Sequence, residues 1–163
     1  MSNQPVRVLF VCLGNICRSP TAHGVFEQMV RERGLHERIE IDSCGTGDWH
    51  IGHPADRRAA AAAARRGYDL SHLRARQVIP ADFDAFDYVL AMDAQNLADL
   101  EAMRPAHFDG VLSLFLDFAQ QVAEREVPDP YYGGEDGFDH VLDLVENASA
   151  GLLREILGAD TAR

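Results

Sequence analysis

Residues 6–20 read VRVLFVCLGNICRSP, a near-continuous apolar run that passes into a short loop and then a Ser-Pro pair. The β-branched and apolar residues 6–13 are typical of a strand buried on both faces. Residues 20–33 follow with apolar side chains at helical spacing and end at Gly34. This stretch therefore predicts one buried strand joined directly to one helix.

The same alternation continues along the chain. Further strands are predicted at residues 39–44, 88–92 and 110–114, and further helices at 56–66, 94–103 and 138–157. Asp56 is placed to cap the second helix, and residues 112–116 fit the start of a helix as well as a strand. Strands that alternate with helices predict an α/β fold, with a parallel sheet and helices on both faces. Ligands of such folds bind beyond the carboxyl ends of strands, and the first strand ends at Cys12.

Length and charge limit the function classes. A chain of 163 residues matches one domain, residues 1–163, and its longest apolar stretch, residues 8–13, is too short to cross a bilayer. The N-terminus lacks a signal peptide's basic and apolar regions, so we expect a cytoplasmic protein. The net charge of −11 disfavours nucleic acid and anionic membranes as partners. Residues 1–76 nevertheless carry 11 Arg against 8 acidic residues, whereas residues 77–163 carry 4 against 18.

The cysteines point to thiol chemistry. There are three of them, Cys12, Cys17 and Cys44, which is too few and an odd number for a disulfide-stapled secreted domain. Cys12 and Arg18 are separated by five residues that directly precede a helix start. That spacing suits a loop wrapped around a tetrahedral anion, with backbone N–H groups converging on its oxygens.

The residues of this loop fit an anion site. Gly14 gives freedom to turn, and Asn15 tolerates a left-handed conformation. Ser19 is predicted to cap the helix with Pro20 at its first position, so the positive end of the helix would face the anion. Arg18 would bind two phosphate oxygens with its planar fork. These neighbours all favour the thiolate of Cys12, which would then act as a nucleophile on phosphorus. A small core residue is the alternative role for a cysteine at the end of a buried strand.

Six segments in order resemble the low-molecular-weight protein tyrosine phosphatase family. They are residues 8–20 (VLFVCLGNICRSP), 42–47 (DSCGTG), 54–58 (PADRR), 71–77 (SHLRARQ), 86–93 (FDYVLAMD) and 127–133 (VPDPYYG). Residues 114–126 match poorly, and Cys44 stands where the family usually has Ala. The resemblance implies a four-stranded parallel sheet flanked by helices on both faces, a flavodoxin-like three-layer sandwich.

The resemblance also implies a reaction. Asp129, held between Pro128 and Pro130, is similar to the family's general acid. Cys12 would attack the phosphorus of phosphotyrosine on a protein while Asp129 protonates the leaving oxygen. Asp129 would then activate a water that hydrolyses the phosphocysteine. Arg18 and the loop amides would stabilise the transition state, and neither a metal nor a cofactor is required.

Further roles are carried over with the family. Asn15, Ser19, Ser43 and His72 are expected to hold the loop and the thiolate through a hydrogen-bond network. Cys17 is expected to form a reversible disulfide that shields Cys12 from overoxidation. The phosphate is expected in the loop at Leu13, Gly14, Asn15, Ile16, Cys17 and Arg18, and the aromatic ring of the substrate among Trp49, Tyr131 and Tyr132.

Other functions stay open at this point. A protein-arginine phosphatase resembles the family almost throughout but has Thr where this chain has Ile16, which suits an aromatic ring. A thiol-linked arsenate reductase needs two further cysteines on a mobile segment, and residues 70–100 contain none. A non-catalytic phosphotyrosine-binding module would need neither Cys12 nor Asp129. A metal site at residues 48–53 with Cys44 is disfavoured because the two histidines there lack the ligand spacing of a zinc site.

Overall fold

Four parallel strands form the sheet of this protein, whose computed structural model describes residues 4–130 and 135–161. The strands lie in the order β2-β1-β3-β4. Their bounds are β1 Val6–Cys12, β2 Ile39–Gly45, β3 Tyr88–Ala91 and β4 Val111–Leu114. The helices are α1 Arg18–Glu32, α2 Arg57–Arg65, α3 Asp82–Ala85, α4 Ala94–Met103 and α5 Glu135–Thr161, with a 3₁₀ turn at Phe115–Phe118.

Helices cover both faces of the sheet, so β1 is buried on both sides. Val8, Phe10 and Cys12 of β1 pack on the face covered by α1, α2 and α5. Leu9 and Val11 pack on the opposite face, with Phe83 of α3 and Leu100 of α4. This arrangement explains the continuous apolar run at residues 8–12 of β1, since buried side chains on both faces of a strand pack against apolar neighbours. The predicted fold class, a four-stranded parallel sheet between two helical layers, is confirmed.

The order of the strands places the end of β1 at a switch point. The chain leaves β1 for β2 on one side and later returns to β3 on the other. Cys12 is level with Gly45 in β2, and Val11 is level with Ala91 in β3. Crevices that open where neighbouring connections diverge are the usual ligand sites of doubly wound sheets. The fold thus positions the loop after Cys12 at such a crevice.

Most element boundaries lie within two residues of the sequence predictions. Asp56 caps α2 as predicted, because its carboxylate accepts hydrogen bonds from the backbone N–H groups of Arg58 and Ala59. The ambiguous residues 112–116 divide between two elements, with β4 ending at Leu114 and the 3₁₀ turn beginning at Phe115. The short helix α3 has no counterpart in the sequence prediction. No helix in the described ranges is both long enough and apolar enough to span a bilayer.

The predicted cap of α1 is wrong. The helix begins at Arg18, one residue before Ser19, and the N-cap residue is Cys17 without a side-chain hydrogen bond. Pro20 accordingly lies third in the helix, still within the first turn, where its missing N–H costs nothing. The Ser19 hydroxyl is engaged instead by Cys12 and Asn15.

Candidate active site

The loop between β1 and α1 is held against the end of β2 by backbone hydrogen bonds. The N–H of Thr46 donates to the carbonyl of Cys12 (2.9 Å), and the N–H of Gly47 donates to that of Leu13 (2.9 Å). A Cβ added at Gly45 would lie 2.7 Å from the carbonyl oxygen of Leu13. Only glycine permits this approach, so Gly45 fixes the loop on the sheet, a role the sequence analysis did not assign.

Asn15 and Gly14 turn the loop in different ways. Asn15 has a φ of 56°, the left-handed conformation predicted for it. Gly14 does not have a positive φ, so the expectation that it supplies unusual backbone freedom is wrong. A Cβ at Gly14 would instead lie 3.1 Å from Cδ2 of His50. The glycine thus leaves room for the ring of His50, which lines the same cleft.

Cys12 lies at the base of the loop with its side chain almost completely buried. The Cys12 Sγ is 3.0 Å from the Ser19 Oγ, and the backbone N–H of Asn15 donates to it at 3.2 Å. The Asn15 side-chain amide donates to the Ser19 Oγ at 2.8 Å, so the Ser19 hydroxyl proton is available to two acceptors, the Cys12 sulfur and the Cys44 carbonyl at 3.3 Å. A thiolate at Cys12 would receive the Asn15 N–H and, with the Ser19 hydroxyl turned from Cys44 toward the sulfur, a second hydrogen bond that stabilises its negative charge.

The Asn15 side chain also connects the loop to a distant segment. Its Oδ1 accepts a hydrogen bond from the backbone N–H of Arg76 (3.0 Å). Arg76 is fixed in turn by Asp82, which binds both of its terminal nitrogens, and by Asp42. Burial alone would lower the pKa of Arg76, but its hydrogen bond to Asp82 and the nearby negative charges raise it. The left-handed turn at Asn15 is thus braced by a charged cluster outside the loop.

Arg18 is buried at the start of α1, and its guanidinium is oriented by two acceptors. Its Nη1 donates to the Asp93 Oδ2 at 2.7 Å and to the Val127 carbonyl at 3.0 Å. Asp93 is itself fixed, because its Oδ1 accepts from the backbone N–H of Asn96 as the cap of α4. The sequence analysis assigned no role to Asp93. The sequence feature that could have indicated a role for Asp93 is its position between a buried strand and a helix.

Asp129 lies close to Arg18. The Arg18 Nη2 is 3.8 Å from the Asp129 Oδ2, and the Asp129 side chain is 37% exposed. The segment that carries Asp129 is tied to the sheet at Val127, whose N–H donates to the carbonyl of Met92 (2.8 Å). Asp129 is therefore presented at the rim of the cleft above the loop while its backbone is anchored two residues earlier.

The cleft above the loop has a volume of about 390 Å³. The Trp49 side chain is 67% exposed at its edge, and Leu13 is also exposed there. Tyr131 and Tyr132, predicted to accompany Trp49, lie outside the described residues. His50 lines this cleft and was not among the predicted substrate-binding residues. The lining residues are Cys12, Leu13, Gly14, Ile16, Cys17, Arg18, Trp49, His50 and Asp129.

Cys17 shares the cleft with Cys12, and both are free thiols. Burial, followed by the negative charge of Asp56, raises the pKa of the Cys17 thiol to about 12. Cys17 is therefore protonated at neutral pH. This environment differs from that of Cys12, whose sulfur accepts a backbone hydrogen bond.

The predicted four-residue network divides into two groups. Asn15 and Ser19 surround Cys12, whereas Ser43 and His72 belong to a separate cluster. The Ser43 Oγ lies 3.0 Å from the His23 Nδ1. His72 is partly exposed, and its Nε2 lies 2.9 Å from the Glu27 Oε1. The placement of His72 at the loop is thus corrected: Arg76, four residues later, supplies the contact to Asn15 from this segment.

No three His, Cys, Asp or Glu side chains converge on a metal-binding position within residues 4–130 and 135–161. His50 and His53 contact each other, with ring centroids 5.7 Å apart. Residue 50 forms part of the cleft wall.

Known proteins similar to this chain share both its sequence and its fold. A low molecular weight protein-tyrosine-phosphatase of Streptomyces coelicolor is 46% identical over 153 residues, which is 92% of this chain and 93% of that protein. A crystal structure of a protein tyrosine phosphatase from Entamoeba histolytica, with Hepes in its active site, superposes with a TM-score of 0.91 at 39% identity. The match covers 95% of this chain and 99% of the other.

A Drosophila arginine phosphatase also superposes, with a TM-score of 0.85 at 29% identity over 91% of this chain and 96% of the other. The family description that matches the sequence is "Low molecular weight phosphotyrosine protein phosphatase", over residues 7–162. The chain belongs to the low molecular weight phosphotyrosine protein phosphatase family.

Proposed function

We propose that this protein hydrolyses phosphotyrosine on proteins through a phosphocysteine intermediate, without a metal. The observation that carries the proposal is one cleft lined by Cys12, Arg18 and Asp129. A thiol that accepts a hydrogen bond from the Asn15 N–H and lies 3.0 Å from the Ser19 hydroxyl, an oriented guanidinium and a carboxyl group together meet the needs of phosphoryl transfer.

In the first step the Cys12 thiolate attacks phosphorus in line with the tyrosyl oxygen. The S–P bond forms as the P–O bond breaks, and the protonated Asp129 carboxyl gives its proton to the departing oxygen. The two acceptors at Nη1 orient Arg18, which leaves its Nη2 and Nε to bind phosphate oxygens. The N-terminal N–H groups of α1 add positive charge at the same place.

In the second step a water molecule attacks the phosphocysteine. The Asp129 carboxylate takes a proton from this water as its oxygen bonds to phosphorus. The S–P bond breaks, inorganic phosphate leaves and the Cys12 thiolate is regenerated. The Asn15 N–H and the Ser19 hydroxyl lower the energy of that leaving thiolate, so the same contacts assist both steps.

The cleft walls support an aromatic substrate. Leu13, Ile16 and Trp49 present apolar surface around the loop, and Trp49 is exposed enough to stack on a tyrosyl ring. A phosphoarginyl side chain would instead place a charged guanidinium beside Ile16. Because the reaction needs a reduced nucleophilic thiol, we also propose that the protein acts in the cytoplasm.

Phosphate release tests the proposal. Wild type and Cys12→Ser are compared at slightly acidic pH in EDTA, with a phosphotyrosyl and a phosphoarginyl peptide of the same sequence. We expect fast release from phosphotyrosine by the wild type alone. A preference for phosphoarginine would leave the loop chemistry standing and overturn the substrate assignment. Release from neither peptide, with binding retained, would identify a binding module instead of an enzyme.

A further inference from the structure

A groove of about 160 Å³ runs between α2 and the first turns of α5. It is lined by Arg57, Arg58, Ala61, Arg65 and Phe138. The three arginines are exposed to solvent, whereas Phe138 is buried. The Arg58 guanidinium lies over the Phe138 ring, 4.9 Å from its centroid, which holds that arginine flat against the groove. The groove is thus a cationic surface with an aromatic ring among its walls.

Arg57 and Arg65 lie on the same side of α2 because they are eight positions, or two intervals of four, apart in the sequence. Ala59, Ala62 and Ala63 of this helix are buried against the core. Arg57, Ala61 and Arg65 follow one another at intervals of four, so they lie along a different, solvent-facing stripe. At 1.5 Å per residue, Arg57 and Arg65 are about 12 Å apart along the helix axis. The small side chain of Ala61 leaves the space between them open.

The described ion pairs of α5 lie beside this stripe and not on it. Among the described side chains of α5, those that bind an arginine at the end of α2 contact Arg66 on the neighbouring side, where Asp143 and Glu146 lie 2.9 and 2.8 Å from its Nη1. Arg58 pairs with Asp56 at 3.3 Å. Among the side chains that the structure describes, no carboxylate pairs with Arg57 or Arg65. A protein with a net charge of −11 therefore keeps a locally positive groove.

Both walls of the groove reach the candidate active site. At the start of α2, the N–H of Asp56 donates to the carbonyl of Ile16 in the loop (2.8 Å). At the start of α5, a Cβ added at Gly137 would lie 3.5 Å from the Cβ of Pro130, the residue after Asp129. Ile16 and Asp129 line the catalytic cleft. Both elements that form the groove thus contact residues beside the catalytic cleft, so the groove lies next to the site that would hold the phosphotyrosine.

We propose that this groove binds a carboxylate-rich segment next to the phosphotyrosine of the substrate protein. The proposal rests on the proposed function, because it defines which phosphotyrosyl proteins the same site selects. Guanidinium groups form paired hydrogen bonds with carboxylates, and Arg57 and Arg65 offer two such groups. An extended peptide advances about 3.3 Å per residue, so the distance of about 12 Å corresponds to about four residues.

Three phosphotyrosyl peptides test this inference. They are identical except for the four residues on each side of the phosphotyrosine, which are Glu, Gln or Lys. The ratio of their kcat/KM values is measured for the wild type and for the double variant Arg57→Gln/Arg65→Gln. The matched control is Arg33→Gln/Arg154→Gln, which removes the same charge at the far end of α1 and late in α5. A peptide-free aryl phosphate reports the basal activity of each protein.

The wild type is expected to prefer the Glu peptide over the Gln peptide by roughly threefold to tenfold, the effect of two exposed ion pairs. The preference should fall with added salt, disappear in the double variant and persist in the control. The net charge alone predicts the opposite, a preference for the Lys peptide. Charge reversal with Arg57→Glu/Arg65→Glu should move the preference to the Lys peptide.

Two results would overturn the inference. One is the absence of a Glu preference in the wild type, and the other is an equal preference in the wild type and the double variant. In both cases turnover of the aryl phosphate would leave the proposed function intact. Failure of the wild type to hydrolyse the aryl phosphate would contradict the proposed function itself and the inference with it.

Discussion

Arg18 and Asp93 are joined by a 2.7 Å hydrogen bond between Nη1 and Oδ2, although 75 residues separate them in the sequence. Asp93 uses its other oxygen to cap α4, so one carboxylate fixes both a helix and a buried guanidinium. Burial would lower the pKa of Arg18, but the negative charges of Cys12 and Asp93 raise it overall. The arginine therefore keeps its charge inside the protein, in a fixed orientation at the cleft.

Replacing Asp93 tests this positioning role. In Asp93→Asn the cap acceptor of α4 can remain, while the charge that holds Arg18 is removed. Since a hydrogen bond to a charged group contributes about 1.5–3 kcal/mol, we expect kcat/KM on a phosphotyrosyl peptide to fall roughly 10-fold to 100-fold. Glu101→Gln, an exposed change on the same helix, serves as the control. Equal kinetics of both variants would show that Asp93 does not position Arg18.

Asp129→Ala tests the general acid. We expect a loss of roughly 10²–10⁴ in the rate of first-turnover release with tyrosyl leaving groups, and a much smaller loss in the first-turnover release of nitrophenolate from a nitrophenyl phosphate, whose leaving group needs no proton. Later turnovers of both substrates should be slow, because hydrolysis of the phosphocysteine lacks its base. Asp117→Ala, an exposed aspartate in the 3₁₀ turn, should leave both rates unchanged. A fall of less than about threefold on the phosphotyrosyl peptide would assign the acid to another carboxylate.

Cys17 is expected to protect Cys12 from irreversible oxidation. After treatment with peroxide, wild type should regain activity with a thiol reductant, because a Cys12–Cys17 disulfide stops oxidation at a reversible stage. The pKa of Cys17 is raised to about 12, so only a small fraction of this thiol is deprotonated at neutral pH. The recovery of activity should therefore improve when oxidation is carried out at higher pH. Cys17→Ser should lose activity permanently. Full recovery of this variant would contradict the protective role.

His23 should make the free energy of unfolding sensitive to acid. Burial lowers the pKa of His23 in the folded protein, against the opposing charges of Glu27 and Asp42. Below about pH 6.5 the unfolded chain therefore binds a proton more readily than the folded one, and stability falls as the pH falls through this window. Urea unfolding from pH 7 to 5 should show a smaller loss for His23→Gln than for wild type. Parallel losses would contradict the assignment.

The part of the site that lies in one stretch of sequence could be predicted. The strand, the loop from Cys12 to Arg18 and the following helix are contiguous, so apolar pattern and residue spacing define them locally. Asn15 has the predicted left-handed conformation for the same reason. The exact helix start was missed because Ser19, a good capping residue, is bound by Cys12 and Asn15 through the fold.

The part of the site that depends on distant segments could not be predicted from spacing. Asp93 and Val127 reach Arg18 only because β3 lies beside β1 and Val127 bonds to Met92 at its end. His72 was expected at the loop from the resemblance, yet the contact to Asn15 comes from the backbone of Arg76. Both residues lie in an irregular connecting segment between α2 and α3, where no helical or strand period indicates which of them faces the loop.

The central claim is that Cys12 carries the phosphoryl group during turnover. The most direct measurement uses Asp129→Ala with a nitrophenyl phosphate, because formation of the intermediate needs no acid there while its hydrolysis lacks the base. Denaturation within the first turnover at alkaline pH, where the S–P bond is stable, followed by mass spectrometry of the peptide that contains residue 12, should find one phosphoryl group on Cys12. A burst of nitrophenolate without phosphate on Cys12, or phosphate on any other residue, would contradict the account.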